Sequence, residues 1–255
     1  MEFSIAEYFI TIVGSFLAGC INTLAGSGSA IALAILTEVM GLPGTLANGT
    51  NRVGVIAQGG LSSYVFYKND KLDIKGSLPI ILLIFVGALI GVYVATQISN
   101  DQFRTVFKFL MIAMLFIIVI RPKRWLIQSD VQAVKPTLLT APLFLALGFY
   151  GGFIQMGMGV FCLALFVLVS KYDIIKANAL KVFAVAFYTI FVIAIFQYKG
   201  LIDWKAGSLL AIGQMIGGYF TAIFASKYVS ADVWAYRLLI VIIIIVILRL
   251  FGVFG

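Results

Sequence analysis

Charged residues along this chain leave long apolar stretches between them. The runs 8–37, 39–51, 53–67, 76–100, 109–120, 136–170, 182–198, 206–226 and 238–248 contain no Asp, Glu, Lys or Arg. A helix crossing a bilayer needs about 20 apolar residues. Runs 76–100 and 206–226 each fit one such helix. Runs 8–37 and 136–170 are too long for one helix and too short for two full ones with a turn. Glycine interrupts both, at Gly26-Ser27-Gly28-Ser29 and at Gly157-Met158-Gly159. Each therefore reads as a full helix followed by a short one. The pattern predicts ten helical segments: 8–24, 29–41, 46–67, 75–98, 103–120, 138–154, 160–170, 174–198, 205–226 and 231–251. At about 1.5 Å per residue, segments 29–41 and 160–170 reach about 20 Å or less, against a hydrocarbon core of about 30 Å. One end of each should stop inside the membrane.

Composition narrows the class. Of 255 residues, 18 are Lys or Arg and 10 are Asp or Glu; 62% are hydrophobic, and mean hydropathy is +1.11. A water-soluble fold of this size cannot bury that much apolar surface. A disordered chain is excluded for the same reason, and a transmembrane barrel would need a polar, lumen-facing residue at every second position. There is no His, which removes Ser-His and Cys-His catalysis and imidazole metal sites. Cys20 and Cys162 lie in apolar runs and read as small buried hydrophobes. No cofactor or metal is expected. The N-terminus lacks a basic stretch and a cleavage site, so the first apolar run reads as a span and not as a removable signal. The net charge of +8 comes from residues scattered between apolar runs, which speaks against nucleic acid as a partner.

The chain repeats itself at a spacing near 130. Ala47-Asn48 matches Ala177-Asn178, and FYKNDKLDIK (66–75) matches FQYKGLIDWK (196–205); Gly87 matches Gly217. This gives an N-terminal repeat over 1–120, a linker over 121–137 and a C-terminal repeat over 138–255. Ten crossings put ten Lys and Arg on one side and four on the other. By the positive-inside rule the richer side, with the 121–137 loop, is cytoplasmic. Five crossings per repeat would make the halves inverted. The expected fold is thus an all-α polytopic membrane protein of two inverted repeats, each with one short broken helix. Four plus four parallel repeats is the alternative, if each short helix merges with its neighbour. Glycine and small residues over 87–96 and 213–222 suggest close helix contacts, and a homodimer is expected.

The candidate chemistry sits at the breaks. Asn22, Gly26, Ser27, Gly28 and Ser29 surround the first, and Gln155, Gly157 and Gly159 the second. Free N–H groups and the dipole at a helix start favour an anion, and broken-helix ends near the midplane are where carriers bind substrate. The glycines could instead serve tight packing alone. After each short helix comes an Asn followed by a cation: Asn48, Asn51 and Arg52 in one half, Asn178 and Lys181 in the other. A cation there lines a cavity or finds a partner, unless it only snorkels to headgroups. Two cations, amides and helix starts would make a cavity for a small oxyanion. Glu38 is the one acid well inside an apolar run and could carry a coupling proton, or could lie in water at a helix end.

These motifs resemble the TSUP family, the sulfite exporter TauE/SafE group of bacterial permeases. The residues carrying the likeness are GSFLAGCINTLAGSG (14–28), Gly41-Leu42-Pro43, Ala47-Asn48-Gly49-Thr50-Asn51, YVFYKNDKLD (64–73) and GALIG (87–91). Ser27 and Ser29 interrupt the family's usual run of glycines. The resemblance implies a multi-pass protein of the bacterial inner membrane that moves sulfite or a small organosulfonate. Family members are usually described with seven or eight helices, fewer than the ten predicted here. No nucleotide-binding Gly-x-x-x-x-Gly-Lys-[Ser/Thr] is present. The expected function is a secondary carrier of a small sulfur-containing anion. A passive anion channel is the alternative, with a membrane enzyme or a scaffold subunit further behind.

Overall fold

The computed structural model describes residues 4–103, 105, 106, 109, 136–228 and 244. Most described residues are helical, with no strand among them. The first half contains α1 (Ile5–Leu24), α2 (Gly28–Ala34) running into a π-helical turn (Ile35–Val39), α3 (Gly44–Lys68) and α4 (Ile74–Ala95). The second contains α5 (Ala141–Phe153), α6 (Met158–Ala164) with its own π-helical turn (Leu165–Val169), α7 (Ile174–Tyr198) and α8 (Trp204–Lys227). These eight match predicted segments, with boundaries differing by no more than three residues. The predicted segments 103–120 and 231–251, and the 121–137 linker, lie almost wholly outside the described residues.

The helices stop and start for local reasons. Ser4 and Glu7 form a capping box on α1, each side chain accepting the other's backbone N–H. Asp73 and Asp203 cap α4 and α8 by accepting from Gly76 and Ala206 N–H. Asp173 caps α7 through Ile175 and Lys176 N–H. The matches at a spacing of 130 extend to single hydrogen bonds. Met40 N–H donates to Ile35 O (3.0 Å) and Ser170 N–H to Leu165 O (2.9 Å), both five residues back as a π-turn requires. Leu42 N–H reaches Leu36 O, and Tyr172 N–H reaches Phe166 O, at 2.9 Å each. Gly41 and Lys171 then both turn through positive φ, at 67° and 61°.

The helices α1, α4, α7 and α8 are long and apolar enough to cross a membrane. The outer surface is apolar, with Phe9, Ile90, Tyr93 and Phe220 all exposed. The interior holds Asn48, Asn51, Arg52, Gln58, Gln155, Asn178, Lys181 and Gln214, all buried. That inside-out distribution fits hydrocarbon as the surrounding solvent. This is a multi-pass, all-α membrane protein.

Close helix contacts fix the arrangement. Gly213 abuts Ile12 and Phe16, and Gly217 abuts Phe16 and Cys20, so α1 and α8 run in the same direction. Gly148 abuts Ile84 and Gly152 abuts Ala88, so α4 and α5 do likewise. Helix α3 runs with α8: Gly207 meets Val53, and Gly218 meets Gln58 and Ser62. It runs against α7, Arg52 lying by Phe196, Gly59 by Ala186, and Phe66 near Ala179. Helix α4 runs with α7, through Ser77 with Tyr172 and Phe85 with Phe187 and Phe191. The glycines that suggested a dimer face are thus taken up inside the chain: Gly87 and Gly91 press on Phe149, Gly213 and Gly217 on Phe16.

Candidate functional site

The two breaks meet at the centre of the molecule. Gly26 turns at φ 74° after α1, and Gly157 at φ 69° before α6. A side chain at either position would be strained. Gly159 N–H donates to Gly26 O at 3.0 Å, and a Cβ on Gly26 or Gly159 would overlap the other's backbone. Gly28 packs just as closely on the Ala18 carbonyl. These glycines pack backbone against backbone, and one of the amide donors expected to face a ligand bonds a carbonyl across the break. Ser27 and Ser29 are buried, and their hydroxyls have no partner among the described residues.

Each half sends its cation to the other half's first helix. Arg52 is completely buried. Its Nη1 donates to Gly151 O (2.8 Å) and Gln155 Oε1 (2.5 Å), and its Nη2 to Gly152 O (3.0 Å) and Asn48 Oδ1 (3.3 Å). Asn48 Nδ2 donates to Phe153 O at 2.8 Å. The guanidinium also lies 5.7 Å from the Phe196 ring centre. Lys181 is also buried; its Nζ donates to Thr23 O (3.0 Å) and Asn178 Oδ1 (2.7 Å). The carbonyls gripped are those of the last turns of α5 and α1, which have no intrahelical donor and carry the negative end of the helix dipole. Neither cation snorkels. The Arg52 fork is directed at the end of α5, not at a helix start.

A small cavity lies beside the Gly26–Gly159 contact. Its wall includes Asn22, Gly26, Gln58, Gln155, Met158, Gly159 and Lys181. About 10 Å³ is open to the centre of a water-sized sphere, room for a single water. Five of the residues expected at a binding site are brought together here: Asn22, Gly26, Gln155, Gly159 and Lys181. Asn48, Arg52 and Asn178 lie behind that wall and hold it. Asn51 Oδ1 accepts a long bond from Gln214 Nε2 (3.4 Å), and its Nδ2 has no partner among the described residues. Gly28, Ser27, Ser29 and Gly157 are off the cavity wall. Glu38 sits in the π-helical turn after α2 and is half-buried, away from the cavity.

Gln58 was missed in the sequence. It accepts from Asn22 Nδ2 (2.7 Å) and donates to Thr23 Oγ1 (2.8 Å), whose hydroxyl bonds Gly19 O (2.9 Å). The signal was an amide in the middle of an uncharged run, which must find partners once buried in a membrane. Met158 was also missed; Tyr188 OH donates to its Sδ at 3.1 Å.

Comparison with known proteins agrees on the class. The family profile described as Sulfite exporter TauE/SafE matches residues 11–250. A "Probable membrane transporter protein ORF9" from Sinorhizobium sp is 27% identical over 205 residues, 80% of this chain and 78% of the relative. A "Probable membrane transporter protein" from Haemophilus influenzae is 24% identical over 219 residues, covering 85% and 84%. "Probable membrane transporter protein YfcA" from Escherichia coli K12 is 25% identical over 208 residues, covering 80% and 75%. No solved structure matches.

Proposed function

The chain belongs to the sulfite exporter TauE/SafE family of membrane transporters, and from that membership we propose that it is a secondary carrier of a small sulfur-containing anion such as sulfite or an organosulfonate. The substrate sits beside the Gly26–Gly159 contact and the two halves alternate around it. The observation that carries this reading is one cavity whose wall joins both breaks, three amides (Asn22, Gln58, Gln155) and one ammonium, Lys181. A cation flanked by amides suits an anion of one or two charges. Backbone and amide dipoles lessen the cost of an empty site compared with a second buried charge.

Helix directions support inverted halves. Helices α1 and α3 run with α8, while α4 and α5 run with α7. Each matching pair, α1/α5, α3/α7 and α4/α8, then points in opposite directions, as in carriers that rock one repeat against the other. The cavity holds one water's volume, less than an oxyanion of four heavy atoms needs. The described arrangement is therefore a closed one, and entry requires the breaks to part. The protein sits in the bacterial inner membrane with its 121–137 loop in the cytoplasm, from the excess of basic residues on that side.

The test is counterflow in proteoliposomes of the purified protein. Labelled sulfite uptake should saturate and accelerate when unlabelled sulfite or a small sulfonate is inside. Uptake without saturation or trans-acceleration, with single-step currents in bilayers, would instead make it a channel.

A further inference from the structure

A second opening lies on the outer face between α3 and α7, apart from the central cavity. It is an apolar groove of about 490 Å³, and its walls include Gly60, Tyr64, Tyr67, Phe183, Phe187 and Ile190. Gly60 opens it: a Cβ there would meet nothing within 4 Å, whereas Ile190 stands at the matching place in α7. Inside a membrane such a slot is filled by an acyl chain or by another helix.

Charge at one end selects between them. The groove's walls continue to Leu72 and Ile74 at the α3–α4 turn. Lys68 closes α3 there, its Nζ 5.0 Å over the Tyr64 ring that lines the groove. Lys71 follows in the turn and Lys75 at the start of α4, and Tyr172, bonded to Ser77 (2.8 Å), brings Lys171 and Lys176 to the same end. Asp70, Asp73 and Asp173 are the acids there. Asp73 and Asp173 already accept helix-start N–H groups, and Asp173 also pairs with Lys176 at 3.5 Å. The excess is basic. Ser63 lines the groove too, and its buried hydroxyl has no partner among the described residues. It lies five residues before Lys68, about 7.5 Å down the helix. That is about the depth of the interfacial layer between headgroup and hydrocarbon.

We propose that the α3–α7 groove is a binding site for one anionic phospholipid, its acyl chain lying against Gly60 and Phe187 and its phosphate beside Lys68 and Lys71. The Ser63 hydroxyl donates to an ester carbonyl between them. A second copy of the chain offers no such match, because its own outer face is apolar and this end of the groove is basic.

Native mass spectrometry of the full chain in mild detergent tests this, with phosphatidylglycerol and phosphatidylcholine of identical acyl chains as probes. The parent should retain phosphatidylglycerol about tenfold more than phosphatidylcholine. The exposed double variant Lys68→Gln/Lys71→Gln should bring the two lipids within about twofold of each other. Gly60→Trp should abolish retention of phosphatidylglycerol while leaving the unfolding midpoint unchanged. Equal retention of both lipids by the parent, or a Gly60→Trp protein that holds phosphatidylglycerol as the parent does, overturns the proposal. So does a dimer that Gly60→Trp dissociates without any lipid adduct, which would give the groove to a second copy.

Discussion

Arg52 and Lys181 occupy nearly matching places in the two halves, and their surroundings divide them. Both follow an Asn at the start of a helix after a broken segment, and both reach across to the other half's first helix. Arg52 is fully enclosed, with four hydrogen bonds and its guanidinium carbon 5.7 Å over the Phe196 ring. Lys181 makes bonds to Thr23 O and Asn178 and also borders the cavity. A planar fork suits the first task, because it meets several carbonyls at once; a compact ammonium on a flexible stem suits a site where a ligand comes and goes. The lesson is that two nearly matching positions have different surroundings: in one half the cation is closed in as a staple, and in the other it borders the cavity, where we propose it meets the ligand.

Breaking the staple should have the largest effect. Arg52→Gln leaves the Gly151 and Gly152 carbonyls without donors in a dry interior, where losing one partner of a buried charged network costs about 3–5 kcal/mol. Unfolding in mild detergent, followed by intrinsic fluorescence, should shift by about 10 °C. Arg52→Lys should recover little of it. A full rescue by lysine would show that charge, and not the fork, is what the α5 end requires.

The junction between the two regions comes next. Gly159→Ala would force a methyl into the Gly26 backbone, which cannot swing aside. Overpacking of this kind costs about 1–3 kcal/mol, and the same unfolding assay should record an intermediate loss. A neutral result would mean the halves part easily at rest, and the closed arrangement would lose its lock.

The smallest effect is expected at Ser27. Its hydroxyl is buried without a partner among the described residues, and it is off the cavity wall. Ser27→Ala should therefore change stability by less than about 1 kcal/mol and leave stabilisation by sulfite intact in a thermal-shift titration. If the sulfite response disappears, the start of α2 belongs to the site after all.

Much of this architecture was legible in the chain. The charge-free runs located the eight described helices, because hydrocarbon length and the cost of buried charge leave a strong periodic mark. The breaks at 26–29 and 157–159 were legible from glycine spacing, and the spacing of 130 from residues such as Asn48 and Asn178. The partners of Arg52 were not legible. Its targets are backbone carbonyls at Gly151 and Gly152, and any residue has a carbonyl; only the packing of α5 against α4, which brings the end of α5 to Arg52, singles these out. The role of the glycines was ambiguous for a related reason, since approach to a ligand and approach to another backbone require the same missing side chain. Gln58 was readable as a polar residue in an apolar run, but its pairing with Asn22 depends on how α1 and α3 cross.

The central claim is that Lys181, and not Arg52, faces the transported anion. The most direct measurement is sulfite affinity by isothermal titration for the purified parent, Lys181→Gln and Lys181→Arg. Losing a charged hydrogen bond to a ligand costs about 1.5–3 kcal/mol, so Lys181→Gln should bind sulfite about ten- to hundredfold more weakly. Lys181→Arg should keep most of the affinity, and Lys181→Gln, which leaves Thr23 O and Asn178 without the ammonium, should unfold at a lower temperature but still as a folded protein in a single transition. Unchanged sulfite affinity in a folded Lys181→Gln protein would contradict the account.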